Sequence, residues 1–133
     1  MTRASGPFDV TLTPQASDAA DQAAGVARLA IAKQFHGDLV GTSRGVMVSA
    51  MTAVKGSAVY SAIERVEGTL GGRAGAFALQ HTGVMDRGVG ALRITVVPDS
   101  ATGDLAGLTG TMDIQIDDGK HRYTFDYALP SAG

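Results

Sequence analysis

Apolar and polar residues alternate along most of this chain, and the alternation predicts eight β-strands. Phe8, Val10 and Leu12 fall on one face of a first strand, with Asp9 and Thr11 on the other. Leu29, Ile31 and Phe35 share a face of a second. Residues 45–54 (GVMVSAMTAV) are apolar on both faces, as in a strand that also packs against something outside its sheet. Residues 58–67 and 75–85 flank a glycine-rich turn, and residues 90–97 lead into a longer loop, PDSATGDLAG. Met112, Ile114 and Ile116 then alternate with Asp113, Gln115 and Asp117, and His121, Tyr123, Phe125, Tyr127 and Leu129 share one face of the last strand. Asp118-Gly119 between these two is a strong hairpin signal. Residues 15–24 (QASDAADQAA) break the pattern: they are alanine-rich, with Ser17 or Asp18 able to cap a helix. The expectation there is a helical turn or loop before Gly25 and a strand after it.

A short phrase of the form Gly-x-Leu-x-Gly recurs as GDLVGTSRG from Gly37, GTLGGRAG from Gly68 and GDLAGLTG from Gly103. Each copy sits between apolar runs and reads as the turn of an antiparallel hairpin. Repeated hairpins of this length predict an all-β fold, an eight-stranded antiparallel meander that closes into a barrel. A barrel of that size holds side chains or one small ligand.

Composition narrows the function classes. The chain has 133 residues, which suits one domain spanning 1–133. It lacks cysteine, so disulfides and thiolate metal sites are excluded. A net charge of −2 without a basic run argues against nucleic acid as a partner. The start, MTRASGPFDV, has no apolar signal region and no run reaches membrane-spanning length, so a cytoplasmic protein with no membrane partner is expected.

The central hairpin can be registered from its faces. With the turn on Gly71-Gly72, Glu64 lies opposite Leu79, Val66 opposite Phe77 and Ala62 opposite His81. Tyr60, Ala62, Glu64, Val66, Phe77, Leu79 and His81 then form the bulkier surface, which is assigned to the interior. Glu64 and His81 become diagonal neighbours, about 7–8 Å apart at Cα and within side-chain reach. By the same alternation Tyr123, Tyr127 and Lys33 turn inward. Buried lysine and glutamate must pair or line a wet cavity. Glu64 and His81 are therefore the candidate catalytic, proton-handling pair. Tyr60, Lys33, Phe77, Leu79, Tyr123 and Tyr127 are the candidate ligand-binding set. The alternative is a structural ion pair of Glu64 with Lys33 in a barrel filled by aromatic side chains. His36, at a turn, and His121, at a strand start, are assigned to the surface, and the three histidines have no metal-ligand spacing. GTLGGRAG lacks the Gly-Lys-Ser/Thr ending of a phosphate loop, and no Gly-x-Ser-x-Gly elbow is present.

The stretches VEGTLGGRAGAFALQHTG, VVPDSATGDLAGLTGTM and HRYTFDYALP resemble a family of short bacterial proteins of unknown function. Their eight-stranded barrel is similar to that of plant allene oxide cyclase and the dirigent proteins, and the match runs from about Leu29 to Leu129. The resemblance implies a barrel with a central cavity, but no activity, because the family has none assigned. Enzymes on the related barrels are cofactor-free cyclases, or guides for coupling reactions, that act on apolar substrates. The expected function is binding of a small apolar or amphipathic molecule, extending to isomerase or cyclase-type proton transfer without a cofactor. The alternatives are a non-catalytic carrier or stress-related protein, and a filled barrel acting as an interaction module. Related barrels form dimers or trimers, and the doubly apolar strand 45–54 suits a homo-oligomer.

Overall fold

In the computed structural model, which describes residues 1–130, the chain forms a closed antiparallel barrel. Its elements are β1 (Thr2–Pro14), α1 (Ala19–Ala24), β2 (Ala27–Phe35), β3 (Leu39–Met51), β4 (Ala58–Leu70), β5 (Arg73–Asp86), β6 (Val89–Val96), β7 (Thr102–Gly103), β8 (Thr109–Asp117) and β9 (Lys120–Ala128). Each long strand pairs with its neighbour in sequence, and β1 pairs with β9 to close the ring. The eight-stranded meander expected from the alternation is the fold, with β7 as one extra strand.

Local chemistry explains the connections. Gly71 and Gly72 have φ of 56° and 85°, the left-handed pair that a two-residue hairpin turn requires. Asp118 and Gly119, at 52° and 76°, repeat it between β8 and β9. The alanine-rich segment is helix α1. Asp18 is its N-cap and forms a capping box with Asp21, and Gly25 ends it in the left-handed region. Asp21 then takes the Arg28 guanidinium at 3.1 Å.

The Gly-x-Leu-x-Gly phrase is not three copies of one turn. In the first the chain reverses at Gly37-Asp38, and in the second at Gly71-Gly72, after the phrase has begun inside β4. In the third, Gly103 belongs to β7, which resumes the edge of β5 beyond β6 after a detour through residues 97–101. What the copies share is their leucine. Leu39, Leu70 and Leu105 are all fully buried, and Leu39 pairs with Leu70 across β3 and β4. Together with Leu108 they stop one end of the barrel.

Above this plug the barrel is packed solid. Phe77 stacks on Phe125 at 5.8 Å and Phe125 on Tyr127 at 5.4 Å. Phe35 meets the edge of Tyr123 at 5.6 Å. The Tyr123 hydroxyl donates to the His36 carbonyl at 2.6 Å and accepts from the Leu39 N–H at 2.8 Å, tying down the first turn. At the opposite end, β6 and β8 pair only at Ile94↔Met112 and Thr95↔Thr111, so the wall is splayed there. Outside, Val46 and Ile63 lie opposite one another on β3 and β4 and are both exposed, so the apolar outer face of residues 45–54 is uncovered in the single chain.

Candidate functional site

The inward face of the central hairpin is the one expected. Glu64 pairs with Leu79, Val66 with Phe77 and Ala62 with His81. Ser61, Ile63, Arg65, Glu67 and Gln80 on the other face are exposed, whereas Ala76 is buried beside β7. Glu64 is 0 % exposed, His81 3 % and Lys33 8 %, so a cluster of ionisable groups sits at mid-height in the barrel.

Lys33 Nζ donates to Glu64 Oε2 at 2.8 Å, and its ammonium stands 5.1 Å from the Phe8 ring centre and 5.9 Å from that of Phe35. Its charge is thus answered by a carboxylate and by two aromatic faces. His81 Nε2 lies 2.7 Å from the same Glu64 oxygen, off the line of a well-aligned hydrogen bond, which makes it a close polar contact. On the far side of that ring, Nδ1 lies 3.4 Å from the Tyr60 hydroxyl. Burial pushes the Glu64 carboxyl up, but His81 and Lys33 outweigh it and hold the group below its ordinary value of 4.5. Burial, and then the Glu64 charge, push the Tyr60 phenol above its ordinary value of 10.0, so it keeps its proton at neutral pH.

A cavity of about 320 Å³ lies above this cluster. Phe8, Val10, Leu12, Ile31, Met47 and Ile114 form much of its wall, with Lys33, Tyr60, His81 and His121 as its polar members. Met47, Tyr60 and Leu92 also line a second, outer cavity of about 540 Å³, bounded by Met51, Ala58, Gly83 and Met85. The two adjoin at the splayed end, where the exposed Leu12, Leu92 and Ile116 also border the smaller; the smaller is termed the chamber and the apolar, larger one the vestibule. Three of the five methionines, Met47, Met51 and Met85, line the vestibule.

Of the residues singled out from the sequence, the structure brings Tyr60, Lys33, Glu64 and His81 together. Tyr60, Lys33 and His81 line the chamber, whereas Glu64 stands behind Lys33 and His81. Phe77, Leu79, Tyr123 and Tyr127 point inward but belong to the packed half and line neither cavity. His36 is exposed, beside Asp9. His121 departs from its surface assignment. Its ring packs 5.3 Å from that of Phe8 and lines the chamber, because the inward face of β9 continues up to the rim. Sequence reasoning also left unassigned the wall residues Ile31, Met47 and Ile114, whose alternation marks them as interior without showing that they face open space. Among the described residues, no group of three or more His, Asp or Glu side chains is arranged to hold a metal ion.

Comparison with known proteins agrees with this architecture. No curated protein matches the chain. A crystal structure of a protein of unknown function from the DUF3224 family of Shewanella oneidensis MR-1 is 50% identical, covers 99% of each chain and superposes with a TM-score of 0.92. The family model described as "Protein of unknown function (DUF3224)" matches residues 4–127. With nearly its whole length matched, the chain belongs to the DUF3224 family.

Proposed function

We propose that the barrel binds a small apolar or amphipathic molecule in the chamber above the Lys33–Glu64–His81 cluster. The observation that carries this reading is the division of the interior: one half is filled by aromatic and leucine side chains, while the other keeps about 320 Å³ open beside a larger vestibule. Ligand sites are typically concave, mostly apolar and furnished with a few convergent polar groups, which describes this chamber. The likeness to the barrels of allene oxide cyclase and the dirigent proteins supports the same reading by analogy of fold.

A catalytic extension has its own support. The Tyr60 hydroxyl, the two His81 nitrogens and Glu64 Oε2 form a chain from chamber to buried carboxylate, a route for a proton during isomerisation or cyclisation. In that extension His81 and Tyr60 touch the ligand, and Glu64 acts through His81. Self-association through the exposed Val46–Ile63 stripe is a further part of the proposal, and light scattering measures it directly.

The test of binding is titration with N-phenyl-1-naphthylamine, a neutral dye that fluoresces in apolar surroundings. The expected result is one saturable site that is lost in Val10→Trp, which fills the chamber. Absence of saturable binding, or binding that ignores the substitution, contradicts the reading.

A further inference from the structure

We infer that the molecule this chamber takes is uncharged and carries a carbonyl-type acceptor, which receives a hydrogen bond from the Tyr60 hydroxyl at the junction of chamber and vestibule. The inference rests on the ligand-binding reading above and specifies its chemistry.

Three observations carry it. First, among the described residues neither cavity has a carboxylate in its wall. The chamber's polar members are Lys33, Tyr60, His81 and His121, and the vestibule adds only Ser49. A wall rich in N–H and O–H donors is complementary to an acceptor. Second, the site holds no free cation at its floor. Lys33 is already paired with Glu64 at 2.8 Å and faced by Phe8 and Phe35, and Glu64 is also contacted by His81. An anionic head would enter beside an ionised Glu64 and lose its hydration while the Lys33 ammonium is already engaged by that carboxylate. A neutral carbonyl asks only for a donor. Third, Tyr60 is the one polar side chain shared by the two cavities, with Met47 and Leu92. A carbonyl held there leaves apolar groups free to extend both ways. Its phenol stays protonated because burial and Glu64 disfavour the phenolate. Its contact with His81 Nδ1 is long, at 3.4 Å, so the hydroxyl turns its one proton to a carbonyl instead, and more strongly to the oxyanion that forms if a neighbouring C–H proton is removed.

The experiment compares three ligands of one shape on the wild-type protein and on Tyr60→Phe: 2-acetylnaphthalene, 2-ethylnaphthalene and 2-naphthoate. Binding is followed through the 13C-labelled methyl groups of Met47, Met51 and Met85, and the ketone's carbonyl stretch is read in the infrared. The expected result is that the ketone binds about tenfold more tightly than the hydrocarbon, the worth of one well-placed hydrogen bond. The naphthoate should bind more weakly than the ketone. Tyr60→Phe should remove the ketone's advantage over the hydrocarbon and return its carbonyl stretch toward the free value. Tightest binding by naphthoate overturns the inference in favour of an anion site. Equal binding of ketone and hydrocarbon overturns it while leaving the ligand-binding reading intact. If none of the three binds, the inference falls, and the N-phenyl-1-naphthylamine titration decides whether the ligand-binding reading falls with it.

Discussion

Glu64 and Lys33 lie on strands that do not pair with each other, yet Oε2 and Nζ are 2.8 Å apart. The strand between them, β3, places Gly45 opposite both Ile31 and Glu64. A Cβ at Gly45 would meet the Ile63 carbonyl oxygen and stand 2.7 Å from both Cα and Cβ of Glu64, so only a residue without a side chain lets β3 pass this close to Glu64. Gly45→Ala should therefore destabilise the fold by about 3 kcal/mol, combining overpacking with a disturbed buried pair. Urea denaturation followed by circular dichroism measures the loss.

The ion pair itself gives a second prediction. Removing one partner leaves a buried charge, so Glu64→Leu should cost about 3–5 kcal/mol. Lys33→Met in the same chain removes that orphan, and the double variant should recover most of the loss. Additive losses in a double-mutant cycle would mean that the two groups do not depend on one another.

The depressed carboxyl of Glu64 has a signed consequence for acid stability. Its folded-state value lies below the ordinary 4.5, so the stabilisation is present above that value and is lost as pH falls through the folded one. Stability should fall more gently with acid in Glu64→Gln than in the wild type. The slope will not vanish, because Asp21 beside Arg28 and Asp126 beside Arg3 are shifted down too. Equal slopes in wild type and variant would place the acid sensitivity outside this cluster.

The leucine plug predicts a separation of stability from binding. Leu70→Ala should cost about 2–5 kcal/mol, as for other buried leucines. Because Leu70 lines neither cavity, affinity for N-phenyl-1-naphthylamine should be unchanged in the folded variant. A matched fall in affinity would mean that the two halves of the barrel are not independent.

Much of this architecture is legible in the residues themselves. Gly71-Gly72 and the alternation on either side are enough to register β4 on β5 and to bring Glu64 within reach of His81. Asp18 and Gly25 similarly bound helix α1. Period-two alternation reports whether a residue faces in or out, but it is silent on height along the barrel axis. Phe77 and Leu79 therefore share a face with His81, yet they lie in the packed half, while His81 borders open space. The start of β1 is hidden for another reason. Its inward positions include the small residues Ala4 and Gly6, and at Gly6 the His36 carbonyl oxygen, with the Tyr123 hydroxyl behind it, occupies the space that a side chain would need. Small residues give alternation little amplitude, so the first strand is legible only from Phe8 onward. His121 is missed because a polar residue at a strand start looks solvent-facing when the open space beside it is inside the barrel.

The central claim is that one half of this barrel is a ligand chamber and the other a filled core. Methyl NMR during titration with N-phenyl-1-naphthylamine tests it most directly. The predicted result is saturable shifts at Val10, Ile31, Met47 and Ile114, with Leu39, Val66 and Leu70 unmoved. Shifts confined to the outer wall at Val46 and Ile63, or no saturable shifts at all, would contradict it.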